Sequence, residues 1–288
     1  MTGREGQLAR SLKERARGHS GIELEFVGRP EADLAVAGAT AIAIESARPD
    51  MVINAAAYTA VDQAEQEPER AFRINADAAG EIAAAARAVG APIIQLSSDY
   101  VFDGRSSEPY GEDAPTNPLG AYGRAKLAGE EQVRAGNPDH LIVRTSWVYS
   151  PFGRNFVKTM LSLGAARDEV RVVADQIGCP TSALDLADAL LLVTERRHGG
   201  AAIGGTYHLA GRCACSWAEL ATEIFRVSAG LGGPSARVVP IATSDYPTAA
   251  ARPANSVLDS GRFERDFACA MPPWRDSLAV VVRRLVEE

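Results

Sequence analysis

Within the segment AYGRAKLAGEE, Tyr122 and Lys126 stand four positions apart. In a helix that spacing stacks both side chains on one face, a turn apart. A free phenol, with a pKa of about 10, exchanges protons sluggishly at neutral pH. A nearby ammonium favours the phenolate, so the pair predicts a tyrosine whose pKa is lowered by lysine and which works as an acid or base. Tyr-x-x-x-Lys also occurs on inert solvated helices, so its setting decides. Upstream, the run IIQLSS ends in Ser97-Ser98-Asp99 and continues as YVFDG. In an open parallel sheet the ligand crevice lies outside the carboxyl ends of the strands. A hydroxyl at that edge and the phenol can converge on one carbonyl oxygen. Alone, Ser97-Ser98-Asp99 reads as turn or cap chemistry; the two segments together favour catalysis.

Such a site needs a parallel sheet behind it, and the apolar runs supply one. Strands are predicted at Ile22–Val27, from Met51 (MVINAA), from Ala91 (APIIQLSS), from His140 (HLIVRTS) and from Val170 (VRVV). Helical stretches separate them: Gln7–Arg17, Glu69–Val89, Tyr122–Arg134 and Asn155–Leu163. Nearly continuous apolar strands alternating with helices indicate a doubly wound α/β fold with a Rossmann-like parallel sheet. After about residue 175 the pattern loosens. Thr181-Ser182 caps a helix through ALDLADALLLVT, GTYHLA is a short strand, and Ser216 caps WAELATEIFRV. ARVVPI is another strand, and PWRDSLAVVVRRLVEE forms the last helix. The expected division is 1–150 for a dinucleotide-binding domain and 151–288 for a smaller, mainly substrate-binding portion, with about 175–200 returning to the first.

The chain of 288 residues is 46% hydrophobic and 23% charged, ordinary values for a globular protein. A formal net charge of -7 and a pI of about 5.3 argue against a nucleic-acid partner, which needs a basic face. They leave room for an anionic small ligand in a locally positive pocket. The first twenty residues are polar and unlike a signal peptide, and no apolar run is long enough to span a bilayer. Cys179, Cys213, Cys215 and Cys269 form neither a disulfide framework nor a zinc spacing. A cytoplasmic location without a membrane partner is expected.

The chemistry-bearing segments resemble the extended short-chain dehydrogenase/reductases, and within them the dTDP-4-dehydrorhamnose reductases. The matching stretches are RPDMVINAAAYTAVDQAEQEPERAFRIN, SSDYVFDG, PLGAYGRAKLAGEE, RTSWVYSPFGRNFVKTML, DQIGCPTSALDLA, YHLAG and RPANSVLD. The resemblance implies NADPH-dependent reduction of the C4 ketone of a dTDP-sugar. It makes Tyr122 the proton donor, Lys126 the group that lowers the tyrosine pKa and holds the nicotinamide ribose, and Ser98 a carbonyl hydrogen-bond donor where threonine is usual. Thr59, Val61, Asp99, Tyr100 and Trp147, with Ser98 and Tyr122, would line the sugar-nucleotide site. Ala55, Ala56 and Ala57 would let the cofactor pass close to the backbone, although alanines near a strand end are also plain helix formers. Asn75 would help order the lysine, or is a helix-interior polar residue.

Arg29 stands where a 2′-phosphate of NADP would lie, which leans towards NADPH; Glu31 leaves NADH open. Asp33 and Leu34 resemble an Asp-Leu pair near the adenine, or begin the next helix. The resemblance also covers the opening stretch TGREGQLA. There Gly3-x-x-Gly6-x-x-Ala9, with Gln7 and Leu8, fits the family's glycine turn, whose helix N-terminus faces a pyrophosphate. Only Met1 and Thr2 stand where the first strand belongs, so that strand is expected to be missing, at a cost to cofactor affinity. Relatives can be dimers with a Mg²⁺-binding contact. No pattern here assigns Mg²⁺ ligands, and either a monomer or a homodimer is expected. Two rivals remain. One is a non-catalytic regulatory subunit of the methionine adenosyltransferase type, the other a nucleotide-sugar epimerase or dehydratase.

Overall fold

The computed structural model describes residues 1–199 and 204–287. The first lobe begins with α1 (Gln7–Arg15), α2 (Ala39–Ala47), β1 (Val52–Asn54), α3 (Val61–Ala64), α4 (Pro68–Phe72) and α5 (Ala78–Ala88). There follow β2 (Ile93–Ser98), α6 (Ala121–Gly136), β3 (His140–Thr145), β4 (Val148–Tyr149) and α7 (Phe156–Gly164). The remainder comprises β5 (Glu169–Val173), β6 (Ile177–Gly178), β7 (Thr181–Ser182), α8 (Ala183–His198), β8 (Gly205–His208) and β9 (Cys215–Ser216). Last come α9 (Trp217–Gly230), β10 (Arg237–Ile241), β11 (Asn255–Ser256), α10 (Gly261–Phe267) and α11 (Trp274–Glu287).

The main sheet is parallel, in the order β1-β2-β3-β8. Its strands are apolar almost throughout because both faces are covered. On one face Leu8 and Leu12 of α1 and Leu186 and Leu190 of α8 pack against Ile53, Ile94 and Val143. On the other, Ile44, Ile82, the buried alanines of α5 and Val133 of α6 pack against Val52, Ile93 and Ile142. Alanine suits this face, since small side chains let helix and sheet approach closely.

Beyond β1 the sheet continues through Thr2, which bridges Asn54 on one side and Val27 on the other. Thr2 N–H donates to the Ile53 carbonyl at 2.9 Å, and Val27 N–H to the Met1 carbonyl at 2.9 Å. Beneath these bonds a buried relay joins three positions: Thr2 Oγ1 donates to Asn54 Oδ1 (2.5 Å), and Asn54 Nδ2 to Gln95 Oε1 (2.7 Å). The expected strand at Ile22–Val27 is therefore a single bridge at Val27. Strand structure is a property of a ladder, and Met1, Thr2 and Gly3 pair with this segment only around Val27 and at Glu25. Residues 22–26 adopt no regular strand.

The second lobe holds its own core of Trp274, Phe225, Ile224, Leu220 and Val281, built from α7, α9 and α11. Here the expected fifth strand of the main sheet proves different. β5 pairs with β10 in a separate two-stranded parallel sheet. Its alternating burial, with Val170 and Val172 inward, suits one covered face rather than two. Asp33 and Leu34 do not open a helix either; Asp33 lies between two turns and Leu34 begins the second, and α2 starts only at Ala39. The caps at Ser182 and Ser216 form as the sequence indicates, the second as a reciprocal capping box with Glu219. Among the described residues, no helix is long and apolar enough to cross a membrane.

Two close approaches fix α6. A Cβ on Gly123 would stand 2.2 Å from the Tyr100 carbonyl oxygen, and one on Gly129 2.0 Å from that of Asn75. Asn75 itself sits in a π-helical segment, Arg73–Asp77, that interrupts the predicted helix Glu69–Val89. Gly129→Ala is expected to lower unfolding free energy by about 1–3 kcal/mol, because backbone rather than a flexible side chain blocks the methyl. Urea denaturation measures it; an unchanged midpoint would refute this reading of the packing.

Candidate functional site

Ser98 ends β2, and its hydroxyl caps the short turn Asp99–Val101 by accepting from Tyr100 N–H at 3.2 Å. The same hydroxyl donates to Asp99 Oδ1 at 2.7 Å. Tyr122 enters from the first turn of α6 and is buried, with the Ser98 side chain and the Asp99 charge acting on its phenol. Its ring meets that of Tyr100 edge-on, centroids 5.4 Å apart. Gly120 offers no side chain to cap α6, and Glu65 does so instead, its Oε1 accepting from Ala121 N–H at 2.6 Å. Lys126, one turn on, is buried and donates to the Leu96 carbonyl at 2.6 Å. Tyr122 and Lys126 thus share one face of α6 against the end of β2, where Ser98 stands.

The electrostatics differ from the expectation. Burial pushes the Tyr122 phenol up to about 12, the Ser98 hydrogen bond opposing and the Asp99 charge adding to the rise. Lys126 does not lower it. That ammonium is engaged by a backbone carbonyl and is itself drawn down to about 8 by burial, against the pull of Glu130. A phenol held protonated at neutral pH is in the state a proton donor needs, whereas a phenolate would suit the reverse, oxidative direction.

Asp99 is raised to about 6 by burial, opposed by the hydrogen bond from Ser98 to its Oδ1, while its Oδ2 has no partner. Val61 opens α3 and packs, half-buried, beside Tyr122, while Thr59 is exposed just before it. Asn75 clasps the adjoining loop, accepting from Tyr58 N–H at 2.8 Å and donating to the Tyr58 carbonyl at 3.0 Å. It orders Tyr58 and not Lys126.

At the other edge, Gly3 takes a φ of 87°, natural only for glycine, and lies against Ala56. The glycine turn and Ala55–Ala57 are thus brought together at the strand ends. Gly6 caps α1 in an extended conformation without a side-chain bond, so the first-turn N–H groups, including those of Gln7 and Leu8, point free of side chains. The Gln7 side chain faces the other lobe, binding Val148 O, Ser150 Oγ and Asn155 Nδ2. Leu8 and Leu34 are core residues, and Asp33 accepts from Ala35 N–H. Arg29 is exposed, and Glu31 is paired with Arg4 at 3.3 Å.

Trp147 has a φ of 48°, unusual for a bulky residue, and such strain concentrates at functional sites. Its indole stacks on Trp217 (centroids 3.5 Å apart, 7° between planes) and covers Gly178, where a Cβ would stand 2.4 Å away. This stack, with Phe156, Tyr100 and the Asp62–Arg252 ion pair (2.7 Å), lines a cavity of about 850 Å³ between the sheet edge and the second lobe. That volume suits a sugar nucleotide. Trp217, Phe156, Asp62 and Arg252 were not singled out from sequence. Trp217 reads as an ordinary residue after a cap, and Arg252 lies within RPANSVLD without a spacing that marks it. Among the described residues, no cluster of His, Cys, Asp or Glu could hold a metal ion.

Comparison with known proteins follows the same lines. Residues 1–287 match the family described as RmlD substrate binding domain. The chain is 46% identical to the dTDP-4-dehydrorhamnose reductase of Sinorhizobium fredii, over 99% of this chain and 95% of that one. It is 41% identical to the enzyme of that name from Burkholderia thailandensis, over 100% and 99%. The crystal structure of a dTDP-4-dehydrorhamnose reductase from Clostridium acetobutylicum superposes with a TM-score of 0.92 at 40% identity, covering 99% and 98% of the two chains. That from Bacillus anthracis, in complex with NADP, gives 0.89 at 36%, covering 98% and 97%.

Asp99 carries a measurable cost. Its folded pKa lies above the unfolded value, so the stability its protonation confers is full below pH 4 and lost as pH rises through 6. Asp99→Asn is therefore expected to be more stable than the parent at pH 7.5, by about 1–3 kcal/mol, with the gap closing by pH 4. Paired urea melts across that range test it; a gap independent of pH would contradict the assignment.

Proposed function

We propose that this chain, which belongs to the dTDP-4-dehydrorhamnose reductase family, reduces the C4 ketone of dTDP-4-dehydro-L-rhamnose to dTDP-L-rhamnose with NADPH. The observation that supports the reading is the burial of Tyr122 and Lys126 on one face of α6 at the end of β2, with the Tyr122 ring against Tyr100, which lines a cavity of nucleotide-sugar size. Neither a regulatory subunit nor a purely structural helix needs a protonated phenol and a buried ammonium on one face.

The residues at the sheet edge fit the cofactor. Gly3, with its positive φ, and the uncapped first turn of α1 suit a pyrophosphate, and Ala55–Ala57 leave room for its approach. Arg29 is the exposed cation available to a 2′-phosphate, and Glu31, already paired with Arg4, opposes it less than its sequence position suggests. When bound, the reduced nicotinamide supplies the hydride. The chain supplies the rest. Ser98 donates a hydrogen bond to the ketone oxygen, polarising the carbonyl. Tyr122 gives that oxygen its proton as the carbon is reduced, so the ketone becomes a secondary alcohol. Lys126 provides positive charge beneath the phenolate left behind, and solvent returns the proton. Trp147 and Tyr100, which line the cavity, would form aromatic walls that orient the sugar, with Val61 packed behind Tyr122.

Tyr122→Phe removes the transferable proton while keeping the ring against Tyr100. It is expected to lower kcat by about 10²–10⁴-fold and to leave NADPH affinity within about threefold. Steady absorbance loss of NADPH with the 4-keto sugar, alongside direct titration of NADPH, checks both. Turnover by the variant at the parental rate would remove Tyr122 from the mechanism. Cofactor recycled without net loss by the parent would point instead to an epimerase or dehydratase.

A further inference from the structure

Tyr122, Lys126 and Glu130 lie at successive four-residue steps along α6, so one helix face carries a phenol, an ammonium and a carboxylate. Glu130 is fully buried. Its Oε1 accepts from Ser97 Oγ at 2.6 Å and Arg144 Nε at 2.9 Å. Its Oε2 accepts from Arg144 Nη2 at 2.8 Å and Arg134 Nη2 at 2.9 Å. Ser97 and Arg144 are direct partners in the β2–β3 register. One carboxylate therefore bolts α6 to two adjacent strands, immediately beside Ser98.

We propose that Glu130 is a positioning residue for the reduction, one that sets the depth of α6 against β2 and supplies the negative charge facing the Lys126 ammonium. This rests on the reading of Tyr122 and Lys126 given above. Burial alone would raise the Glu130 carboxyl, but Arg144 and Ser97 hold it below its ordinary value, so it is ionised at working pH. Among the described residues packed around Lys126, Glu130 is the charged group that acts on it, while β2 contributes the Leu96 carbonyl. The charges facing Glu130 are Arg144 from β3 and Arg134 from its own helix. Asp99, just after β2, acts on Tyr122, and Arg73 of the π-helical segment pairs with Glu81 of α5 and with Asp77. Burial draws Lys126 down to about 8, and Glu130 resists that fall. Without Glu130 the ammonium would lose its proton at a lower pH.

The test uses the whole chain. Lys13, Lys126 and Lys158 are its three lysines, so ¹³Cε-labelled lysine gives a resolvable titration, with Lys126→Arg assigning the signal. In Glu130→Gln the Lys126 midpoint is expected to fall by about one pH unit, with Lys13 and Lys158 unmoved. The alkaline limb of kcat should move down with it, so that turnover at pH 8 drops about fivefold relative to pH 6.5. Glu130→Asp, which keeps the charge, should restore most of the limb. A folded Glu130→Gln whose Lys126 titrates at the parental pH overturns the proposal. Should Glu130→Gln strand Arg144 and fail to fold, Glu130→Gln with Arg144→Met removes both buried charges. A midpoint still lowered in that double variant supports the proposal, and an unmoved one refutes it. The lysine titration needs no turnover, so a parent that consumes no NADPH would overturn the functional reading and leave the Glu130–Lys126 coupling standing or falling by itself.

Discussion

The seam between α6 and β2 holds Ser97, Lys126, Glu130 and Arg144 out of water with every charge met by a partner. Each would be costly to bury alone. Together they fix how far the helix can slide or rotate on the strand, since a bidentate Arg–carboxylate pair tolerates little displacement. Gly123 and Gly129 complete the constraint by admitting the Tyr100 and Asn75 carbonyls into contact with the helix. The helix is thus located by polar bonds on one side and by backbone contact on the other. Tyr122 is held at the end of β2 because nothing in that seam can relax independently.

The same seam explains the ionisation states. A surface Tyr-x-x-x-Lys pair would show the lysine lowering the phenol. Here both groups are buried, and desolvation disfavours the charged form of each, pushing the phenol up to about 12 and the amine down to about 8. The outcome is a phenol held protonated and an amine still mostly charged at neutral pH but brought close to its titration point. For a reduction this is the useful arrangement, since the phenol needs to ionise only as the alcohol forms.

The parallel sheet, the placement of Tyr122, Lys126 and Ser98 on it, and the capped helices at Ser182 and Ser216 were legible in sequence because each rests on local pattern: apolar runs, four-residue spacing, a hydroxyl before a helix. What was not legible depends on neighbours. Ile22–Val27 has the composition of a strand, yet a strand forms only beside a partner, and Thr2 alone spans the gap between Val27 and Asn54. β5 has strand periodicity, but nothing local says that its partner is β10 rather than β3. Trp217 and Arg252 come from segments far from the glycine turn, and only the closure of the second lobe brings them to one cavity.

Asp99 shows which of these features the fold would discard if stability alone governed it. Its carboxyl is buried with one oxygen unpaired and its pKa raised, so at neutral pH it opposes folding. Its other oxygen holds the Ser98 hydroxyl, and its charge reinforces protonation of Tyr122. An amide could accept the first bond but would supply no charge for the second effect. A group that destabilises the resting chain while favouring the protonated form of Tyr122 is not accounted for by packing.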